Sequence, residues 1–255
     1  MKYGTHSLFL TLGLGAALIL GSCAGRLDAQ EVQATPSELL PAPSRNASTS
    51  TTETTMKTTL KEAPWASSPP FSSHDFFKPL PLQAGEGEEI AILAGGCFWC
   101  LEAVYENIPG VIDVVSGYIG GDNDRPSYEF VSTGRSGHAE AVWIRYDSAI
   151  VKYGDLLNYI WKIHDPTTKD RQGYDVGPQY RSGIYYIGEA QKEEALAAIK
   201  KQSPWWLSPI VTEVLPAKDF WIAEESHQDF YRRNPDYGYC AVVIAPKLQK
   251  TGFGK

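Results

Sequence analysis

The apolar run Ile90–Ala94 ends in Gly95 and Gly96, and Cys97 follows at once. Phe98, Trp99 and Cys100 come next, then a helical pattern that reaches Asn107. A buried strand has to turn sharply into a helix here, because paired glycines accept backbone angles that other residues resist. This strand–turn–helix unit constrains the fold more than any other stretch of the chain. It calls for a sheet with a helix packed on it. It also sets a thiol at a helix N-terminus, where unpaired N–H groups and the helix dipole are expected to favour the thiolate. Redox or nucleophilic thiol chemistry is the first expectation.

The elements from Glu86 onward fit such a fold. Strands are expected at Ile90–Ala94, Val111–Tyr118, His138–Tyr146, Ser182–Ile187 and Val211–Leu215. Helices are expected at Phe98–Asn107, Asp155–His164 (capped by Asp155 and stopped at Pro166), Ala190–Gln202 and Glu224–Arg233. Tyr128–Ser132 is ambiguous. Strands and helices mix with few parallel crossovers and no fixed-period repeat, which points to a two-layer α+β domain over residues 86–255.

Upstream the composition changes. Lys2 followed by the apolar Leu8–Leu20 reads as a secretory signal too short to span a membrane comfortably. The four residues Leu20-Gly21-Ser22-Cys23 resemble a bacterial lipobox, whose cysteine becomes the acylated N-terminus. Residues 1–23 are therefore expected to be a lipoprotein-type signal with Cys23 as lipid attachment site. The alternative is an ordinary signal peptide cleaved near Ala29. Acylation would tether a soluble domain to a membrane. Ala24 after Cys23, by resemblance to Gram-negative lipoproteins, permits sorting to the outer membrane. The expected location is the bacterial cell envelope, outside the cytoplasm. Residues 24–85 are rich in Ser, Thr and Pro and read as a disordered linker, with Trp65, Phe71, Phe76 and Phe77 as aromatic exceptions. The net charge of −7 argues against nucleic acid as a partner.

Four further segments carry unusual chemistry for surface loops. They are Pro126–Phe130, Thr133–Val142 with Gly137-His138-Ala139-Glu140, His164–Thr167, and Gln172–Ser182 with Tyr174-Asp175 and Gln179-Tyr180-Arg181. With Gly96-Cys97-Phe98-Trp99, and in this order, they resemble methionine sulfoxide reductase A from about Ile90 to Cys240. The resemblance implies a ferredoxin-like α/β plait with irregular extensions. It implies thiol-dependent reduction of methionine S-sulfoxide, free or in proteins, without metal or organic cofactor and with a thioredoxin-like protein as electron donor. The restriction to one sulfoxide epimer is a general property of such enzymes.

The residues make chemical sense beside that resemblance. A sulfoxide has an electrophilic sulfur and a basic oxygen, so its reduction needs a nucleophile and an acid. Cys97 supplies the thiolate. Glu140 shares strand parity with Val142 and Ile144, and a carboxyl among apolar groups holds a proton near neutral pH. By resemblance, Tyr128 and Tyr180 hydrogen-bond the sulfoxide oxygen, Asp175 orients polar groups in the same pocket, and Phe98 and Trp99 cradle the S-methyl group. His227 also matches a family position, although a lone helical histidine is more often structural. The sulfenic acid formed on Cys97 would condense with a second thiol to a disulfide, which the donor reduces. Two resolvers are open: Cys100 by its one-turn spacing, and Cys240 by the family's C-terminal resolving position. With Cys23 acylated three thiols remain, which does not suit purely structural disulfides.

Two rival functions are weighed against this one. A general thiol–disulfide oxidoreductase built on Cys97 and Cys100 leaves Glu140, Tyr128, Asp175 and Tyr180 unexplained. A zinc-binding or adhesive module using the three cysteines has only one Cys-x-x-Cys pair, split by two aromatics. Monomer is the default oligomeric state.

Overall fold

The computed structural model describes residues 78–254. The expected signal segment with Cys23, and the linker as far as residue 77, lie outside the described residues. The elements in chain order are β1 (Pro79–Leu80), β2 (Glu88–Gly95), α1 (Phe98–Tyr105), β3 (Val111–Ile119), α2 (Tyr128–Ser132), β4 (Ala139–Asp147), α3 (Tyr153–Ile163), β5 (Arg171–Gln172) and β6 (Asp175–Val176). They continue with β7 (Ser182–Tyr186), α4 (Gly188–Gln202), β8 (Glu213–Pro216), β9 (Phe220–Ile222), α5 (Phe230–Arg233) and α6 (Ala245–Thr251).

One seven-stranded sheet runs β1-β9-β3-β4-β2-β7-β8, and β5 pairs only with β6. Its centre, β3-β4-β2-β7, is antiparallel at every pairing. The connection β2-α1-β3-β4-α3-β7 through that centre is the ferredoxin-like plait. The outer pair β7–β8 is parallel, as a crossover through α4 requires.

Alternation along the strands sorts side chains into two layers. Leu93, Val142, Ile144 and Ile184 form one buried cluster with Leu101 and Val104 of α1 and Leu156 and Ile160 of α3. Ile92, Val115, Ala141, Trp143 and Phe220 form a second cluster on the opposite face with Leu80. The indole N–H of Trp143 donates to the Pro81 carbonyl at 3.0 Å. The first paired strand, Pro79–Leu80, thus lies ahead of the domain start expected at residue 86. Each apolar side chain taken fully out of water here contributes roughly 1.5–3 kcal/mol before chain entropy is counted.

Several elements depart from expectation. The helix expected at Glu224–Arg233 is broken into a 3-10 turn, Glu225–His227, and the one-turn α5. Asp229 between them has φ +54°. Tertiary partners override helix propensity there: the Phe230 N–H donates to Glu102 at 3.3 Å, and the Asp229 carboxylate meets Arg232 at 3.0 Å. Helix α3 begins two residues before Asp155, whose carboxylate instead reaches back to the Lys152 N–H at 3.1 Å. Helix α1 ends at Tyr105, two residues short of Asn107. Strand β9, the π-helical turn Cys240–Ile244 and α6 were not expected, being short or poorly periodic.

Candidate active site

The site lies at the end of the central strands where β2 and β3 finish and β4 and β7 begin. Its foundation is the Gly95–Gly96 turn. A Cβ at Gly95 would lie 3.2 Å from the His164 ring, and one at Gly96, where φ is +98°, would lie 2.7 Å from Cγ of Gln172. The His164 ring bridges the Ile160 carbonyl at 2.7 Å and the Ser182 hydroxyl at 2.8 Å. Burial lowers its pKa to about 4, so the ring is neutral and serves as a strut between α3 and β7. Gly96→Ala is expected to cost about 1–3 kcal/mol through the left-handed backbone alone, read as a lower urea midpoint at unchanged slope.

Cys97 occupies the N-cap position of α1 and is 7% exposed. Burial pushes its thiol well above the ordinary range, and its hydrogen bond to Cys100 and that residue's charge add to the effect. Cys100 is drawn down to about 6, first by the hydrogen bond from Cys97, against burial, and then by the Lys247 ammonium. The two thiols thus titrate as a pair in which Cys100 is the more acidic member. Burial acts on Cys97 against the helix dipole that is expected to favour its thiolate. The first-turn N–H of Phe98, moreover, is already engaged: it donates to Glu140 Oε2 at 3.1 Å.

Glu140 is 1% exposed and lies on the helix-covered face with Val142 and Ile144, as its parity requires. Burial raises its carboxyl to about 8, against the Phe98 N–H, with Asp175 and Cys100 adding to the rise. At pH 7 most of it is protonated. Tyr118 on β3 stands directly opposite in register.

Tyr128 stands at the first position of α2 and Tyr180 at the end of the 3-10 turn Pro178–Tyr180. Burial keeps both hydroxyls protonated, and Glu140, Cys97 and Asp175 act on each in the same sense. Both are hydrogen-bond donors at neutral pH. Asp175, on the small β5–β6 hairpin, accepts from the Tyr239 hydroxyl at 2.8 Å, and that hydroxyl lies 3.6 Å from Cys100 Sγ.

The aromatic wall is continuous. Trp99 stacks on Phe230 with ring centroids 3.6 Å apart and planes 6° apart. Its indole N–H donates to His227 Nδ1 at 3.2 Å. Burial lowers the His227 pKa, which keeps that nitrogen a free acceptor. The His227 ring lies 4.3 Å from Tyr128 and 5.3 Å from Phe98. His227 thereby fixes the orientation of Trp99 and closes the wall beside Tyr128.

Cys240 is buried at the start of the π-helical turn, and its thiol is raised by burial and then by Cys100. Among the described residues the three cysteines are free thiols, and no group of three or more His, Cys, Asp or Glu side chains could hold a metal ion. No helix among them is long and apolar enough to cross a membrane.

Residues 89–253 match the family model described as peptide methionine sulfoxide reductase. This chain belongs to that family. Among its relatives is the peptide methionine sulfoxide reductase MsrA of Thermus thermophilus, 51% identical over 164 residues, covering 64% of this chain and 93% of the relative. The MsrA 1 of Rhodopirellula baltica is 53% identical over 171 residues, covering 67% and 89%. Reduced Mxr1 from Saccharomyces cerevisiae superposes with a TM-score of 0.59 at 33% identity, over 62% of this chain and 91% of that one. Methionine sulfoxide reductase A of Corynebacterium diphtheriae does so at 0.59 and 32%, over 68% and 93%. The chain is thus an MsrA-family oxidoreductase.

Three residues of this reductase's site escape the sequence reading. Tyr239 links Cys100 to Asp175, Phe230 backs Trp99, and Glu224 joins Tyr118 to Tyr128. The aromatic density around Cys240, a candidate resolver, was the one available signal, and it marks Tyr239. Nothing in local spacing marks Phe230 or Glu224.

Proposed function

We propose that this chain reduces methionine S-sulfoxide, in proteins or free, to methionine, with Cys97 as nucleophile and Glu140 as acid. One observation carries this assignment: a nearly inaccessible carboxyl with its pKa near 8 is hydrogen-bonded to the residue following a buried cysteine. A neutral acid beside a nucleophile is what a sulfoxide requires, since its oxygen leaves the substrate only as it is protonated.

Cys97 transfers its proton to the Cys100 thiolate as its sulfur attacks the sulfoxide sulfur. Glu140 protonates the oxygen, with the Tyr128 and Tyr180 hydroxyls donating to it. The attack joins Cys97 Sγ to the substrate sulfur, and collapse passes the protonated oxygen to Cys97 Sγ as the substrate's sulfur–oxygen bond and the new sulfur–sulfur bond both break. The substrate sulfur gains two electrons and leaves as methionine, while Cys97 loses two and becomes a sulfenic acid. A thiol then displaces water from it to form a disulfide. Cys100 is the first resolver in this scheme, being hydrogen-bonded to Cys97. Cys240 then takes over the bond from Cys100, the thiol whose charge reaches it. A thioredoxin-like dithiol reduces the resulting disulfide by exchange. Tethered through Cys23, the enzyme would repair oxidised proteins of the cell envelope.

An assay of this reductase with thioredoxin on peptides carrying each sulfoxide epimer tests the assignment. The S epimer is expected to be consumed and the R epimer left. Vigorous reduction of an insulin-type disulfide with neither epimer consumed would favour the general oxidoreductase instead.

The two pKa values also fix a pH profile for methionine release in a single turnover. Below about 6 the cysteine pair becomes fully protonated and the rate falls. Above about 8 Glu140 loses the proton it must donate and the rate falls again. A bell between these limits is expected, measured by rapid quench across pH 5–10 in steps of roughly half a unit.

A further inference from the structure

Glu224 is a half-buried crosslink that no catalytic step uses. Its Oε1 accepts the backbone N–H of Tyr128 at 2.8 Å, and its Oε2 accepts the Tyr118 hydroxyl at 2.8 Å. Its own carbonyl accepts the His227 N–H at 2.8 Å. One residue thus joins three segments of the site: β3 opposite Glu140, the start of α2, and the turn that presents His227.

The Tyr128 ring packs against His227 and Phe98, but the backbone at the start of α2 has few other anchors. Helix α2 has five residues, only Val131 of them buried, and follows a loop in which Arg125 adopts φ +54°. The N–H of Tyr128 is one of the first-turn donors that a helix leaves without an internal partner. Tyr118, by contrast, is fully buried on a central strand, so the hydrogen bond to Glu224 refers the position of α2 to the rigid sheet.

We infer that Glu224 is a positioning residue for sulfoxide reduction, setting Tyr128 at its place over the reacting oxygen by locking the start of α2 to Tyr118. The inference rests on the role proposed for Tyr128. Without the carboxylate, the Tyr128 N–H and the buried Tyr118 O–H both lose their acceptor, and α2 shifts to recover one. Displacements of about 1 Å of a group at the reacting centre cost up to ~100-fold in rate.

A double-variant cycle tests this, with methionine release in a single turnover as the readout. Glu224→Ala is expected to slow release by about 10- to 100-fold. Glu224→Gln is expected to stay within about threefold of the unaltered enzyme, because its amide oxygen still accepts from Tyr128 and the Tyr118 hydroxyl turns to accept from its NH2. Tyr128→Phe removes the hydroxyl that Glu224 positions, so adding Glu224→Ala to it is expected to slow release by no more than about threefold further. A residue that only stabilised the fold would give losses that multiply. Multiplying losses, or Glu224→Ala at the unaltered rate, overturns the inference. Tyr128→Phe at the unaltered rate overturns the role of Tyr128 and this inference with it. Should Glu224→Ala not fold, Tyr118→Phe frees one carboxylate oxygen and takes its place in the cycle, with the same non-additivity expected and the same multiplication overturning the inference.

Discussion

Replacing Cys97 by serine is expected to abolish methionine release even in a single turnover with fully reduced enzyme. The serine hydroxyl keeps the size and the N-cap position but lacks a soft, readily ionised nucleophile. Cys100→Ser and Cys240→Ser are expected to behave differently, because each retains the attacking sulfur. Cys240→Ser should release one methionine per chain at nearly the unaltered rate and fail only in multiple turnovers with a thioredoxin-type donor. Cys100→Ser removes the thiolate that accepts the Cys97 proton, so its single turnover should slow and its acid limb should move above pH 6. Rapid-quench measurement of methionine separates the three variants.

Glu140→Gln is expected to have the second largest effect, a loss of about 10²- to 10⁴-fold in the single-turnover rate, the range of a positioned general acid. The amide keeps the shape and still accepts the Phe98 N–H, so the turn at Cys97 is preserved. It has no acidic proton to give the departing oxygen. The residual rate should lose its dependence on pH near 8, since the group titrating there is gone. A residual rate that kept the alkaline limb would assign that limb to another group.

The fold was legible wherever periodicity was strong. The alternation of His138–Tyr146 set Glu140 on the same side as Val142 and Ile144, which is the helix-covered face, and the Gly95–Gly96 pair marked the turn that carries Cys97. Legibility ended where tertiary partners decide. A helical pattern at Glu224–Arg233 was broken because Glu102, distant in sequence, captures the Phe230 N–H. Local spacing cannot show such a capture. The influences on the cysteine pair were only partly legible for a related reason. The helix N-terminus at Cys97 is a local feature, whereas the burial that acts against it, and Lys247 that favours the charged form of Cys100, come from the folded whole. Tyr239 and Glu224 were hidden because each acts across 64 or more positions, on Asp175 and on Tyr128.

The order of oxidation of the sulfurs is the most direct test of the mechanism. One equivalent of methionine S-sulfoxide is mixed with the reduced chain, quenched at intervals in a thiol-alkylating reagent, and the modified cysteines are mapped by mass spectrometry. The expected first product is a Cys97–Cys100 disulfide, formed together with one methionine per chain and followed by a Cys100–Cys240 disulfide. A first-formed disulfide that lacks Cys97, appearing with the methionine before any oxidised form of Cys97, would contradict attack by Cys97.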